Sequence, residues 1–173
     1  YELLFQLRRK DVESVIECGI GTNNPELTST MGVKGKPGAS LRVWRDYFPN
    51  ANIIGIDIDA DILFKEDRIK TYQCDQTSKS SIEDFIDRSC VNEKTVDVII
   101  DDGLHEFHAG VSLFEGLNKY FADDGVYIIE DISKASYLLY KEYFAKIKSQ
   151  YTVRFVNLQR PNLQIGNNRL III

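Results

Sequence analysis

Val96-Asp97-Val98-Ile99-Ile100-Asp101-Asp102 runs through β-branched residues with one polar interruption and then stops on two acids. A strand with one face in water alternates apolar and polar residues, whereas a strand covered on both faces reads as a near-continuous apolar run. The stretch therefore predicts a strand buried on both sides, with helices above and below it and parallel neighbours. Comparable runs occupy residues 14–20, 52–58, 69–75, 125–132, 152–159 and 169–173, and helical spacing falls between them at 41–48, 81–88, 108–120 and 137–150. Strands alternating with helices in this way specify a doubly wound α/β fold.

The last two runs break that rhythm. The stretch between Gln159 and Arg169, which holds Pro161 and Gly166, is too short for a helical crossover, so these two strands are expected to pair antiparallel. The expectation is a single domain over residues 1–173, built on a mostly parallel seven-stranded sheet that ends in a C-terminal antiparallel hairpin.

Composition narrows the function classes. At 173 residues and 43% hydrophobic the chain can bury one two-sided sheet. Its longest apolar runs fall far short of the ~20 residues that cross a bilayer, so no membrane span is expected. A formal net charge of -5, with lysines and arginines dispersed, disfavours nucleic acid as a partner and suits a small neutral or cationic ligand. Residues 1–10 carry Arg8, Arg9 and Lys10 and do not read as a secretory leader, so a cytoplasmic address is expected. Cys18, Cys74 and Cys90 are too few and too scattered for a disulfide framework or a structural zinc site. The oligomeric state stays open, a homo-oligomer included.

Candidate chemistry gathers at strand ends, where open α/β sheets bind ligands. Glu17-Cys18-Gly19-Ile20-Gly21 closes the first strand as E-x-G-x-G, and Gly19 and Gly21 let backbone turn tightly against a ligand. The third glycine of a dinucleotide fingerprint would fall at Asn24, where no helix starts, which weakens a nicotinamide reading. Asp57, followed by Ile58, closes the second strand and can accept hydrogen bonds from both ribose hydroxyls of an adenosine. Asp75 and Gln76 close the third with groups suited to an adenine edge. Ser40 reads as a helix N-cap whose helix start can also face the cofactor. Residues 22–39, polar and broken by Pro25, Gly32, Gly35, Pro37 and Gly38, form a long loop after the first strand, expected to close over the site or to be disordered.

The 96–102 strand then supplies the sharpest signal. Alternation turns Asp101 and Asp102 to opposite faces, one towards a cofactor and one towards a substrate, and His105 follows three residues later at the same rim. The next strand ends in Glu130-Asp131. If the two strands are neighbours, Asp102, Glu130 and Asp131 converge, and three carboxylates held close call for a cation; an all-oxygen set suits Mg²⁺. His108, inside the following helix, reads as a surface or packing residue.

Gly38-Ala39-Ser40-Leu41-Arg42-Val43-Trp44, Gly55-Ile56-Asp57-Ile58, Asp75-Gln76, Asp101-Asp102-Gly103-Leu104-His105 and Ile129-Glu130-Asp131, in this order, resemble the metal-dependent sugar O-methyltransferases of macrolide biosynthesis, the mycinamicin type. The similarity runs from about Val15 to Ile132. The expected antiparallel end of the sheet fits as well, since class I methyltransferases have it and most dinucleotide-binding Rossmann domains lack it. The resemblance implies S-adenosyl-L-methionine as cofactor, Mg²⁺ held by Asp102, Glu130 and Asp131, His105 as general base, and Asp101 on the cofactor side with Asp57 and Gln76. Leu104 stands where that family usually has serine, and the family's large N-terminal region has no counterpart in these residues.

The implied reaction moves a methyl group to a hydroxyl of a small molecule or glycan, in the manner of a sugar O-methylation. Two other readings stay open at this point: an NAD-dependent oxidoreductase using Asp57 for ribose, and a non-catalytic nucleoside-binding module.

Overall fold

The computed structural model describes residues 1–147, 149–158 and 169–173. In chain order the elements are α1 (Glu2–Phe5), β1 (Ser14–Cys18), α2 (Ala39–Tyr47), β2 (Asn52–Asp57), β3 (Lys65–Glu66), β4 (Ile69–Gln73), α3 (Lys79–Ser89), β5 (Val96–Asp101), α4 (Phe107–Leu117), β6 (Phe121–Ile129), α5 (Lys134–Ile147), β7 (Arg154–Asn157) and β8 (Arg169–Ile172). The sheet order is β3-β4-β2-β1-β5-β6-β8-β7. All neighbours from β4 to β6 are parallel, and β6–β8 and β7–β8 are antiparallel. The expected terminal hairpin is thus present, although its connection, with Pro161 and Gly166, lies outside the described residues, as does Gln159 at the end of the expected strand.

Beyond shifts of a few residues at element ends, such as β6 beginning at Phe121 rather than 125 and α5 at Lys134 rather than 137, two features depart from the sequence reading. Among the described residues the sheet has eight strands rather than seven. The extra one, β3, pairs antiparallel with β4 through Lys65 and Glu66, both exposed and without any apolar periodicity. The second departure is α1, a single turn whose Phe5 is fully buried.

Alternation along the central strands divides the core into two layers. Ile16, Cys18, Ile56, Ile99, Tyr127 and Ile129 pack against α3, α4 and α5 through Phe85, Leu113, Phe114 and Phe144. Val15, Ile53, Val98, Ile100 and Ile128 point the other way, towards Phe5, Leu41 and Phe48. The order reverses at β1: the chain passes outward through β2 and β4, then returns to the other side of β1 with β5 and β6. Such a switch point opens a crevice beyond the carboxyl ends of the strands. No helix among the described residues is long and apolar enough to cross a membrane.

Phe114 is the centre of the larger layer, in edge contacts with Tyr127 at 5.2 Å, Phe144 at 5.3 Å and Tyr151 at 5.4 Å between ring centroids. Phe114→Ala should lower the unfolding free energy by about 3–5 kcal/mol, the range for emptying a buried aromatic site. Urea denaturation followed by far-UV circular dichroism measures it, and a loss below about 1 kcal/mol would contradict this packing.

Candidate active site

The glycines after β1 bring two strand ends into contact. Gly19 has φ 85°, and a Cβ there would sit 2.2 Å from the backbone oxygen of Asp102, so only glycine fits. The turn is held by Gly19 N donating to the Ile56 carbonyl at 2.9 Å and Asp102 N donating to the Cys18 carbonyl at 3.0 Å. Asp57 locks it from the β2 side: Oδ2 accepts from Ile20 N at 2.9 Å and Oδ1 from Asp59 N at 3.0 Å. Burial raises the Asp57 pKa, while these amides act to lower it.

Beyond this turn lies a cavity of about 550 Å³. Gly19, Gly21, Ser40, Asp57, Ile58, Asp75 and Gln76, all singled out from the sequence, line it, and so do Asp102, Leu104 and His105 at its far edge. Glu17 and Asp101 are buried and stand behind the wall, not on it. Ser40 is not the N-cap of α2. Gly38 takes that position at φ 71°, where a Cβ would meet the Phe64 ring at 2.3 Å, and Ser40 falls within the first turn with its hydroxyl on Glu17.

The 22–38 loop folds across the cavity, in line with the first of the two expectations for it. Met31 N and Thr30 Oγ1 donate to the Thr22 carbonyl at 2.8 and 3.1 Å, Asn23 Nδ2 donates to the Gly32 carbonyl at 2.6 Å, and Ser29 Oγ donates to the Gly103 carbonyl at 2.9 Å. Leu27, Thr28, Ser29, Thr30 and Met31 therefore line the cavity. Sequence reasoning did not single them out, because only the length of the loop signalled function. Arg42 anchors its end, donating to the Pro37 carbonyl at 3.0 Å and, from Nη2, to Glu66 of β3 at 2.6 Å.

At the mouth, one oxygen or nitrogen each of Asp102, His105 and Asp131 lie within 4.8 Å of one another, close enough to hold a metal ion. His105 Nε2 is 3.1 Å from Asp102 Oδ1, and that hydrogen bond is the main cause of a raised imidazole pKa. His105 and Asp131 both adopt left-handed backbone, with φ of 61° and 45°. Non-glycine residues in that region cost of order 1–3 kcal/mol and collect at functional sites. Glu130 stands apart from this trio and accepts a hydrogen bond from the Tyr1 hydroxyl, and burial raises its pKa. Tyr1, which the sequence reading did not flag, packs on Trp44 at 4.6 Å between centroids. His108 lies on the outer face of α4 beside Glu106, as anticipated.

No protein-family model matches the chain. It is 34% identical over 134 residues to the mycinamicin VI 2''-O-methyltransferase of Micromonospora griseorubida, an alignment covering 76% of this chain and 30% of that protein. It is also 33% identical over 133 residues to the 8-demethyl-8-(2-methoxy-alpha-L-rhamnosyl)-tetracenomycin-C 3'-O-methyltransferase of Streptomyces olivaceus, covering 76% of this chain and 31% of that one. The chain thus spans about a third of the length of the curated relatives it matches. Among solved structures, the MycE methyltransferase of the mycinamycin biosynthetic pathway, in complex with Mg and SAH, superposes with a TM-score of 0.68 at 24% identity, over 99% of this chain and 48% of that one. Spermidine synthase from Thermotoga maritima superposes with a TM-score of 0.61 at 14% identity, over 99% of this chain and 56% of that one.

The buried Glu17 carries a consequence for stability. Burial pushes its pKa from 4.5 up to about 8, against the opposing hydrogen bonds from Ser40 and Trp44, the latter 2.5 Å from Oε2. A carboxyl group with a raised folded-state pKa binds its proton more tightly when folded, so its contribution is full below the unfolded value and is lost as pH rises towards the folded one. The protein should lose stability between about pH 4.5 and 8 relative to Glu17→Gln, which keeps an oxygen for Trp44 and has no charge to bury. Thermal melts of both proteins across that window check it; parallel curves would contradict a proton on Glu17.

Proposed function

We propose that this chain, which has the class I methyltransferase fold and is a homologue of sugar O-methyltransferases, transfers a methyl group from S-adenosylmethionine to a hydroxyl of a glycosylated small molecule with the help of a divalent cation. The observation that carries the reading is the Asp102–His105–Asp131 cluster at the mouth of the cavity, one glycine turn away from the lining expected for a nucleoside. The relatives that the chain matches are O-methyltransferases, which favours this reading over a nicotinamide enzyme or a non-catalytic module.

The residues present fit a hard cation. Asp102 and Asp131 offer oxygens, Glu130 precedes Asp131 in the chain but is turned to the Tyr1 hydroxyl, and repulsion from Asp102 and Asp131 adds to the raised Glu130 pKa. A bound cation would supply Lewis acidity that lowers the pKa of the acceptor hydroxyl. Asp102 and Asp131 would hold it, and Glu130 would join them once released from Tyr1. S-adenosylmethionine, when bound, supplies a methyl group on a sulfonium that leaves as a neutral thioether.

The chain's own groups account for the rest. Asp57 lines the cavity beside Ile58, where ribose hydroxyls would lie, and its carboxylate has acceptor sites beyond the bonds from the backbone amides. Asp75 stands at the next strand end, on the adenine side. Thr28 to Met31 line the cavity from the side of the loop. In the tautomer that donates Nε2–H to Asp102, His105 keeps Nδ1 to take the proton of the hydroxyl.

Methyl transfer should stop in EDTA and return with Mg²⁺, assayed with labelled S-adenosylmethionine on a panel of glycosylated acceptors, rhamnosyl- and olivosyl-bearing ones included. His105→Ala should lower kcat by about 10²- to 10⁴-fold with little change in cofactor affinity. Full activity in EDTA, or a His105→Ala enzyme as fast as the parent, would refute the mechanism. Asp57→Ala should weaken S-adenosylhomocysteine binding by roughly tenfold or more, since a charge-assisted hydrogen bond contributes about 1.5–3 kcal/mol. Calorimetry reads it, with a melting curve to establish that the variant is folded, and unchanged affinity would remove Asp57 from the ribose.

A further inference from the structure

Gln76 sits on the cavity wall but is only 7% exposed, and both ends of its carboxamide are engaged within the protein. Nε2 donates to Asp101 Oδ1 at 3.0 Å, and Oε1 accepts from Leu104 N at 2.7 Å. Asp101 Oδ1 also accepts from Gly103 N at 3.3 Å. The two backbone N–H groups between Asp102 and His105 are therefore both held by one side-chain pair. Contact is close: a Cβ on Gly103 would lie 2.0 Å from Gln76 Oε1, so the turn rides directly on the carboxamide. An ionised carboxylate only accepts, which fixes the amide with nitrogen towards Asp101 and oxygen towards Leu104. The next residue is His105 at φ 61°, a conformation that persists only where its surroundings over-determine it.

From this geometry we propose that Gln76, backed by Asp101, is a positioning residue: it fixes the 102–105 turn so that Asp102 and His105 converge with Asp131, and does not serve to recognise adenine. The roles of Asp102 and His105 rest on the function proposed above; the positioning itself does not. An adenine-reading glutamine would keep its carboxamide free to face the ligand, whereas this one is oriented from behind by a buried acid and loaded by a backbone amide.

The test compares Gln76→Met, which keeps length and loses both bonds, with Asp101→Ala and Asp101→Asn; the last leaves one amide oxygen able to accept from Gln76 and Gly103. Three quantities are read on the purified chain: hydrogen exchange of the Leu104 amide, Mn²⁺ affinity and S-adenosylhomocysteine affinity. In Gln76→Met and Asp101→Ala, Leu104 exchange should rise and Mn²⁺ affinity fall, each by about tenfold, with S-adenosylhomocysteine affinity within about threefold, and Asp101→Asn should recover most of the loss. If Gln76→Met does not fold, Gln76→Leu, which also loses both bonds, takes its place with the same expected direction. A drop in S-adenosylhomocysteine affinity with unchanged Leu104 exchange and Mn²⁺ affinity would overturn the proposal and return Gln76 to adenine recognition. A parent protein that binds neither Mn²⁺ nor S-adenosylhomocysteine would sink the proposed function, and Leu104 exchange would still decide the positioning role.

Discussion

The site depends on the close approach of two backbones, the turn after β1 and the turn after β5. Gly19 lies so near the carbonyl of Asp102 that no side chain can stand between them, and Asp102 N returns a hydrogen bond to Cys18. Parallel pairing of β1 with β5 brings the strand ends level, and the absent Cβ lets them touch. The cavity proposed for the cofactor and the cluster proposed for the metal then share an edge, formed by Asp102 and His105. Methyl transfer between two bound molecules requires such proximity, because the reacting atoms must approach to near van der Waals distance before the barrier falls.

Six carboxylates crowd this junction, and the fold treats them differently according to depth. Asp57 is satisfied by backbone amides; Glu17 receives Trp44 and Ser40; Asp101, pushed by burial up to about 6, receives Gln76 and Gly103. Asp102, Glu130 and Asp131 lie nearer solvent, and the charges of Asp102 and Asp131 add to the raised Glu130 pKa. A deep acid with amide partners holds geometry, whereas shallow acids facing one another store unfavourable charge that a cation can offset. This difference in depth, more than residue type, separates the acids that build the site from those suited to hold a ligand.

The long loop joins both halves. It leaves the β1 turn at Thr22, lays Met31 over Gly21 and ties Ser29 to the carbonyl of Gly103, so the cover of the cavity touches the turn that carries His105. Its far end is fastened by Arg42 to Glu66 of β3. A two-residue strand that appears marginal to the sheet thus sets where the loop can end.

The sequence by itself determined the layers of the fold, the strand ends to within a few residues and the faces of their side chains, because apolar periodicity and strand alternation are local and repeat every two or 3.6 residues. The burial of 96–101 on both faces, the opposite directions of Asp101 and Asp102 and the turns at Gly19 and Gly21 were all legible in it. Only the tertiary structure decided which groups meet. It took Ser40 from the capping position, because Phe64, distant in sequence, leaves room only for glycine at 38. It drew Glu130 towards Tyr1, spent the carboxamide of Gln76 on Leu104 and placed residues 27–31 in the cavity wall. Each of these contacts joins residues separated by many positions along the chain, and no local pattern encodes them. They follow from the order of strands in the sheet and from the volume left between side chains.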